Sequence, residues 1–421
     1  MRILIVNAAQ LLTMAGADRP RHGEEMRGLG LVRDGAVLIE DGRILAAGLP
    51  ELVRSHEGAS SAGIIDAGGR VVLPGFVDSH SHPVFAEPRL KDFEARLQGR
   101  TYAEIAADGG GILSTVHGVR CASLAQLSDG LRRRAAQFIA SGTTTLEAKS
   151  GYGLDLDSEL KMLRAIKAAA EAGPLEIVAT LLGAHALPAE MKHDREEYVR
   201  RVCEEMIPAA AREGLAAFVD VFCEKGFFTV AESERIFGAA AKAGLKPKMH
   251  AEQLSRSGSL SLARKAGAVS VDHLDRVDES DMGILAGSDM VATLLPGSNY
   301  FLAQPYPPAR RLIDAGAAVA LATDFNPGSC PCWDMRTILS IAATQMRMSP
   351  DETLVAATVN GAWAMGLGRT HGSLEAGKVA DLVCYEARDY REIPYYFGAA
   401  GVAWTMKKGV LVHSRRAHAA R

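Results

Sequence analysis

A (β/α)8 barrel carrying a small β-sandwich, an α/β fold, is the architecture this sequence predicts, and three observations predict it. The middle of the chain alternates apolar, β-branched runs with helix-like stretches. Both ends are strand-rich and lack that rhythm. Histidines and acidic residues gather where the apolar runs stop, and that end of the strands is where such a barrel keeps its chemistry.

Taken in order, the N-terminal end offers "ILIVNAAQLLTM", "GAVLIEDGRILAAG" and "GIIDAGGRVVLPG", aliphatic runs broken by turn residues. Asp41-Gly42 between two such runs is a hairpin signal. The polar stretch from Arg19 to Met26 reads as a loop. At the other end "VADLVCYE" and "VAWTMKKGVLV" read as strands, with a turn at Lys408-Gly409. The two ends are expected to pair into one composite sandwich of residues 1–72 and 374–421, because chain termini often lie close together. Residues 73–373 are then the barrel.

Its strands are expected at "GFVDSHSH", "GTTTLEAKS", "IVATLLGAH", "FVDVFCE", "PKMHAE", "AVSVDHL", "MVATLLPG" and "VALATDFN". Between them lie helices such as "DSELKMLRAIKAAAEAG" and "TVAESERIFGAAAKAG", each closing near a glycine suited to a C-cap. The segment from Val84 to Ile139 is too long for one crossover and suggests an insertion at the active end. A doubly wound open sheet is the alternative for the same rhythm.

Composition narrows the class. The 421 residues are 48% hydrophobic and 23% charged, with a net charge of −3, so no basic field points to nucleic acid or an anionic membrane. No apolar run reaches ~20 residues, and no signal peptide opens the chain. The six cysteines show no metal-ribbon or redox spacing and read as reduced thiols of a cytoplasmic protein.

The expected strand ends place His80 and His82 on the first strand, His185 on the third, Glu224 on the fourth, His250 on the fifth, His273 on the sixth and Asp324 on the eighth. Residues two apart on a strand face the same way, so His80 and His82 both face the mouth. With His250 and Asp324 they would offer a metal three imidazoles and a carboxylate, a set that suits zinc and also iron. Lys149, near the end of the second strand, raises the question of a carboxylated lysine bridging two metals, but a single ion is the expectation.

"VLPGFVDSHSHPVF", "KSGYGL", "LLGAHALP", "MHAEQ", "VDHL" and "ATDFNPGS" resemble the amidohydrolase superfamily, and within it the imidazolonepropionases. The resemblance runs over nearly the whole chain, including "FEARLQGRTYAEIAADGGGILSTV". It implies a barrel with a terminal sandwich and one zinc or iron ion on His80, His82, His250 and Asp324. It implies Asp324 and His273 as catalytic groups. Substrate contacts are implied at Arg89, Tyr152, His185, Gln253, Asn326, Gly328 and Ser329. The implied reaction is hydrolytic ring opening of 4-imidazolone-5-propanoate to N-formimidoyl-L-glutamate by a cytoplasmic homodimer. Two stretches depart from the pattern, "AEPR" before Arg89 and "SCPCWDM" after the last strand.

The chemistry of these residue types agrees. A planar guanidinium, Arg89, suits a propionate. A deaminase on the same scaffold would place a glutamate where Gln253 stands, and an amide does no acid–base work at neutral pH. A non-catalytic binding protein would tend to lose the ligand set kept here. Glu224 and Glu252 are left open between supporting the site and supporting the fold.

Overall fold

The computed structural model describes residues 1–101, 104–105, 108–398 and 401–415. Residues 416–421, the end of the expected composite domain, lie outside the described residues, as do four within the expected insertion. The described strands fall into two sheets.

The first is built from both termini: β1 (Arg2–Leu12), β2 (Leu31–Glu40), β3 (Arg43–Gly48) and β4 (Gly63–Pro74), with β13 (Leu382–Tyr385), β14 (Val402–Lys407) and β15 (Val410–Ser414). Their order is β15-β14-β13-β4-β1-β2-β3. β1 and β4 are parallel and the remaining neighbours antiparallel. The two ends of this sheet come together. Ala380 N–H donates to Gly42 O at 2.8 Å and Gly409 N–H to Ala380 O at 2.9 Å. The closure wraps a core of Ile5, Leu11, Val37, Ile39, Ile44, Leu382, Trp404 and Met406. Both hairpins turn where expected. Asp41 and Gly42 have φ of 46° and 80°, Lys408 and Gly409 of 49° and 75°, the paired left-handed residues of a tight hairpin.

The second sheet is the barrel, with strands β5 (Phe76–Asp78), β6 (Thr143–Lys149), β7 (Glu176–Ala184), β8 (Phe218–Cys223), β9 (Lys246–Ala251), β10 (Ser270–His273), β11 (Val291–Leu294) and β12 (Val319–Leu321). They run parallel in chain order, and all eight overlap the expected segments, the last stopping at Leu321, short of Asp324. Helix Leu124–Ala140 is the first crossover, opened by a reciprocal cap between Ser123 and Gln126. Helices Leu90–Leu97 and Ile112–Cys121 precede it and form the insertion.

Three local expectations are corrected. Arg19–Met26 is not all loop: Gly23–Arg27 forms a short 3-10 helix. Gly173 is extended at φ −129°, so helix Leu156–Ala172 ends without a left-handed cap. The first barrel strand stops at Asp78, short of His80 and His82. There the ladder gives way to single contacts with the residues that follow β12.

Candidate metal centre and substrate pocket

The barrel closes through Asp78, His80, His82, Thr323, Asp324 and Phe325. Asp78 accepts the Thr323 N–H at 2.9 Å and its hydroxyl at 2.6 Å. Beyond that, Asp324 N–H donates to His80 O at 3.0 Å, and His82 N–H to Phe325 O at 2.8 Å. Asp324 takes φ +51° to do so, a conformation that costs a non-glycine residue of order 1 kcal/mol and recurs at functional sites.

These contacts bring four polar side chains together in a buried spot. His80 Nε2 and His82 Nε2 are 3.3 Å apart. Asp324 Oδ1 lies 3.8 Å from the first and 3.6 Å from the second. His250 completes the group, and the ligand atoms of His80, His82 and His250 lie within 4.8 Å of one another. Each residue of the four is at most 3% exposed.

The donor chemistry fits a metal. Burial, then Lys149 and the neighbouring imidazoles, hold His80 well below the ordinary histidine range. Burial, then His185 and His250, do the same for His82. Both rings are therefore neutral lone-pair donors. His80 Nδ1 sits 2.6 Å from Asp272 Oδ2, which places its proton there and frees Nε2. His250 Nδ1 lies 3.0 Å from Asp220 Oδ2, off the line of a good hydrogen bond. Two nitrogens facing each other at 3.3 Å beside a carboxylate make a poor hydrogen-bonded cluster and a good cation site. The group suggests one metal site.

Beneath it lies an ion network that strand reading missed. Lys149 Nζ contacts Asp220 at 2.7 Å, Glu147 at 3.0 Å and Asp272 at 3.7 Å. Lys248 Nζ contacts Glu147 at 2.6 Å and donates to Ser79 O at 2.9 Å. All five side chains are fully buried. Burial pulls the Lys149 ammonium down, but Asp220, Glu147 and Asp272 together raise it above its ordinary value. A lysine held charged by three carboxylates is not a carboxylated bridge, which agrees with one ion. A signal was present in the sequence: lone charges inside apolar strands, as in "FVDVFC" and "TTTLEAK", rarely stand unpaired.

From this cluster a row of side chains leads outward. The His185 ring stacks on His82 at 5.3 Å and 17°. Its Nδ1 lies 2.9 Å from Gly151 O, so that nitrogen carries the proton, and burial lowers the ring to about 3. Tyr152 is 5.4 Å from His185 between centroids, and Arg89 Cζ is 5.8 Å from the Tyr152 ring. Arg89 Nε donates to Thr115 Oγ1 at 2.7 Å. A β-carbon on Gly328 would lie 2.2 Å from an Arg89 nitrogen, so only glycine lets the guanidinium rest against that loop.

His273 stands beside the ligands, 5.3 Å from His250 and 5.6 Å from His80 between centroids, with φ +80°. Its Nδ1 is buried without a partner among the described residues. Gln253 is half-buried just past β9. The two glutamates left open hold the loop around it. Glu224 accepts from the amides of Lys225, Leu254 and Ser255 at 2.7, 2.8 and 3.1 Å. Glu252 accepts from Ser257 N–H at 2.7 Å and Ser259 N–H at 2.9 Å.

Asn326, Gly328 and Ser329, implied substrate contacts, close a turn on themselves. Asn326 Oδ1 already accepts the Gly328 N–H at 2.9 Å and the Ser329 N–H at 2.7 Å, while its Nδ2 donates to Asp324 O at 2.7 Å. An asparagine closes its own turn more readily than it leaves those amides open. The three shape the loop on which Arg89 rests.

Comparison with known proteins places this arrangement. The amidohydrolase family matches residues 71–412. An imidazolonepropionase of Symbiobacterium thermophilum is 47% identical over 413 residues, covering 97% of both chains. One of Geobacillus kaustophilus is 45% identical over 416 residues, covering 98% of both. Among solved structures, an adenosine deaminase of Xanthomonas campestris with bound zinc superposes with TM-score 0.71 at 20% identity, covering 98% of this chain and 93% of that one. Guanine deaminase of E. coli does so at 0.72 and 17%, covering 99% and 100%. At those identities the structures speak to the fold alone, whereas the sequence relatives speak to lineage. On that ground the chain belongs to the amidohydrolase family, and within it to the imidazolonepropionases.

Proposed function

We propose that this chain hydrolyses the cyclic amide C–N bond of 4-imidazolone-5-propanoate, giving N-formimidoyl-L-glutamate. The observation that carries the reading is the continuous row from Arg89 through Tyr152 and His185 to the buried His80, His82, His250 and Asp324. The row supports a guanidinium that takes a carboxylate at one end and a hydrolytic cluster at the other. His80, His82, His250 and Asp324 would hold one zinc or iron ion. Such an ion supplies a water of pKa ~7 and polarises the carbonyl.

The chain's own groups do the rest. Arg89 takes the propionate through paired N–H bonds. Tyr152 covers the ring. His185, with its proton turned to Gly151, offers Nε2 to a ring N–H. Gln253 binds a ring nitrogen without exchanging a proton. Asp324 takes a proton from the attacking water, whose oxygen ends in the new carboxylate. The leaving nitrogen collects that proton as the C–N bond breaks, and the water's second proton passes to solvent as the new acid ionises. His273 hydrogen-bonds the carbonyl oxygen as it gains charge. The six unpaired cysteines support a reducing, cytoplasmic setting.

The test adds freshly prepared imidazolone propionate to metal-analysed protein and follows the loss of its ultraviolet absorbance, with a parallel ammonia assay. The reading expects about one ion per chain, absorbance decay and no ammonia. Ammonia release, or no decay by metal-loaded protein, overturns it.

A further inference from the structure

Arg89 opens helix Leu90–Leu97, and its side chain is only half-buried. Together with Thr115 it lines a groove of about 1160 Å³ along the insertion. A long, flexible guanidinium beside open space has two places to go. One is against Gly328, Tyr152 and the groove's wall at Thr115, and the other is further along the groove. Among the described residues, the one side-chain hydrogen bond that decides between them comes from Thr115, on helix Ile112–Cys121. Its Oγ1 accepts the Arg89 Nε–H at 2.7 Å, and Thr115 itself is 5% exposed.

The choice of nitrogen matters. A guanidinium has five N–H donors in a planar fork. The Nε–H bond to Thr115 fixes the plane and leaves the four terminal donors. An edge of two parallel donors is what a carboxylate needs. We propose that Thr115 is a positioning residue for carboxylate recognition: it holds Arg89 by Nε at the groove's wall, so that the terminal nitrogens meet the propionate. The proposal rests on Arg89 being the propionate anchor.

Thr115→Val keeps the shape and removes the acceptor. It should raise KM roughly 5–30-fold, the scale of one charge-assisted hydrogen bond, with kcat within about two-fold. Thr115→Ser restores the hydroxyl and should restore KM. If the valine variant does not fold, Thr115→Ala, which cannot overfill the site, reads the same loss. The decisive comparison is the double variant with Arg89→Ala. A residue acting through Arg89 adds nothing further to KM once Arg89 is gone. Additive effects would assign Thr115 a merely structural role and overturn the proposal, as would an unchanged KM in Thr115→Val. If Arg89→Ala alone leaves KM unchanged, the failure lies with the anchor reading and is recognisable as such.

Discussion

Asp324 Oδ1 lies 3.8 Å from His80 Nε2 and 3.6 Å from His82 Nε2, and in the proposed reaction it takes the proton of the attacking water. Asp324→Asn is nearly isosteric and can still offer an oxygen to a cation, but it accepts no proton at neutral pH. The variant should keep a substantial part of its metal and lose roughly 10²–10⁴-fold in kcat, with KM little changed. Metal content and kinetics on one preparation check this. Near-normal turnover with full metal would move the proton path to His273. At Arg89 the lysine variant keeps charge and loses both the fork and the Nε donor to Thr115. It should weaken substrate binding by about 1.5–3 kcal/mol, seen as a raised KM. Asp275, two residues past His273, is pushed up to about 7 by burial, against the donation from Asn299 at 3.1 Å. Its folded pKa lies above the unfolded value of ~3.9, so the folded state binds this proton more tightly. Its contribution to stability is present below pH ~4 and is lost as pH rises toward about 7. Asp275→Asn should therefore raise the Tm of metal-free protein at pH 8 and leave it unchanged near pH 4. Equal shifts at both pH values would exclude this origin.

At the scale of the element, the Ser150–Leu154 loop owes its shape to one residue that its own sequence does not contain. Glu159, in the first turn of helix Leu156–Ala172, accepts the amides of Gly151, Gly153 and Leu154 at 2.9, 2.7 and 2.9 Å. It is fully buried, and burial raises its carboxyl even against those donors. The loop carries Tyr152 and gives Gly151 O to His185, so Glu159 orders two pocket residues at once. Glu159→Ala leaves three buried donors unmet, at about 1–3 kcal/mol each. It should lower the Tm by several degrees and raise KM through a displaced Tyr152. Glu159→Gln, which keeps one acceptor oxygen, should do less of both. If the alanine variant melts and binds like the parent, the loop holds itself.

Across the whole molecule the terminal sheet and the barrel solve separate problems, and the barrel's harder one is charge. Lys149 and Lys248 lie among Glu147, Asp220 and Asp272, with no solvent contact, on β6, β8, β9 and β10. Asp272 and Asp220 in turn contact His80 and His250. Removing one cation leaves carboxylates buried and unpaired. Lys149→Met should cost about 3–5 kcal/mol in urea unfolding, in metal-free and metal-loaded protein alike. A loss under about 1 kcal/mol would show the network to be dispensable.

What the sequence determined by itself follows from local rules. Apolar or β-branched runs marked every barrel strand, and Asp41-Gly42 and Lys408-Gly409 marked both hairpins. Spacing placed His80 beside His82, and chain order placed His250 and Asp324 at the same end. Only the tertiary structure decided what those groups touch. Asp272 orienting His80, Thr115 holding Arg89 and Glu159 capping the Tyr152 loop join residues 192, 26 and 5–8 positions apart. Asn326 turning on its own loop was decided the same way. A hydrogen bond depends on a few tenths of an ångström in three dimensions, whereas periodicity records only which face a residue occupies.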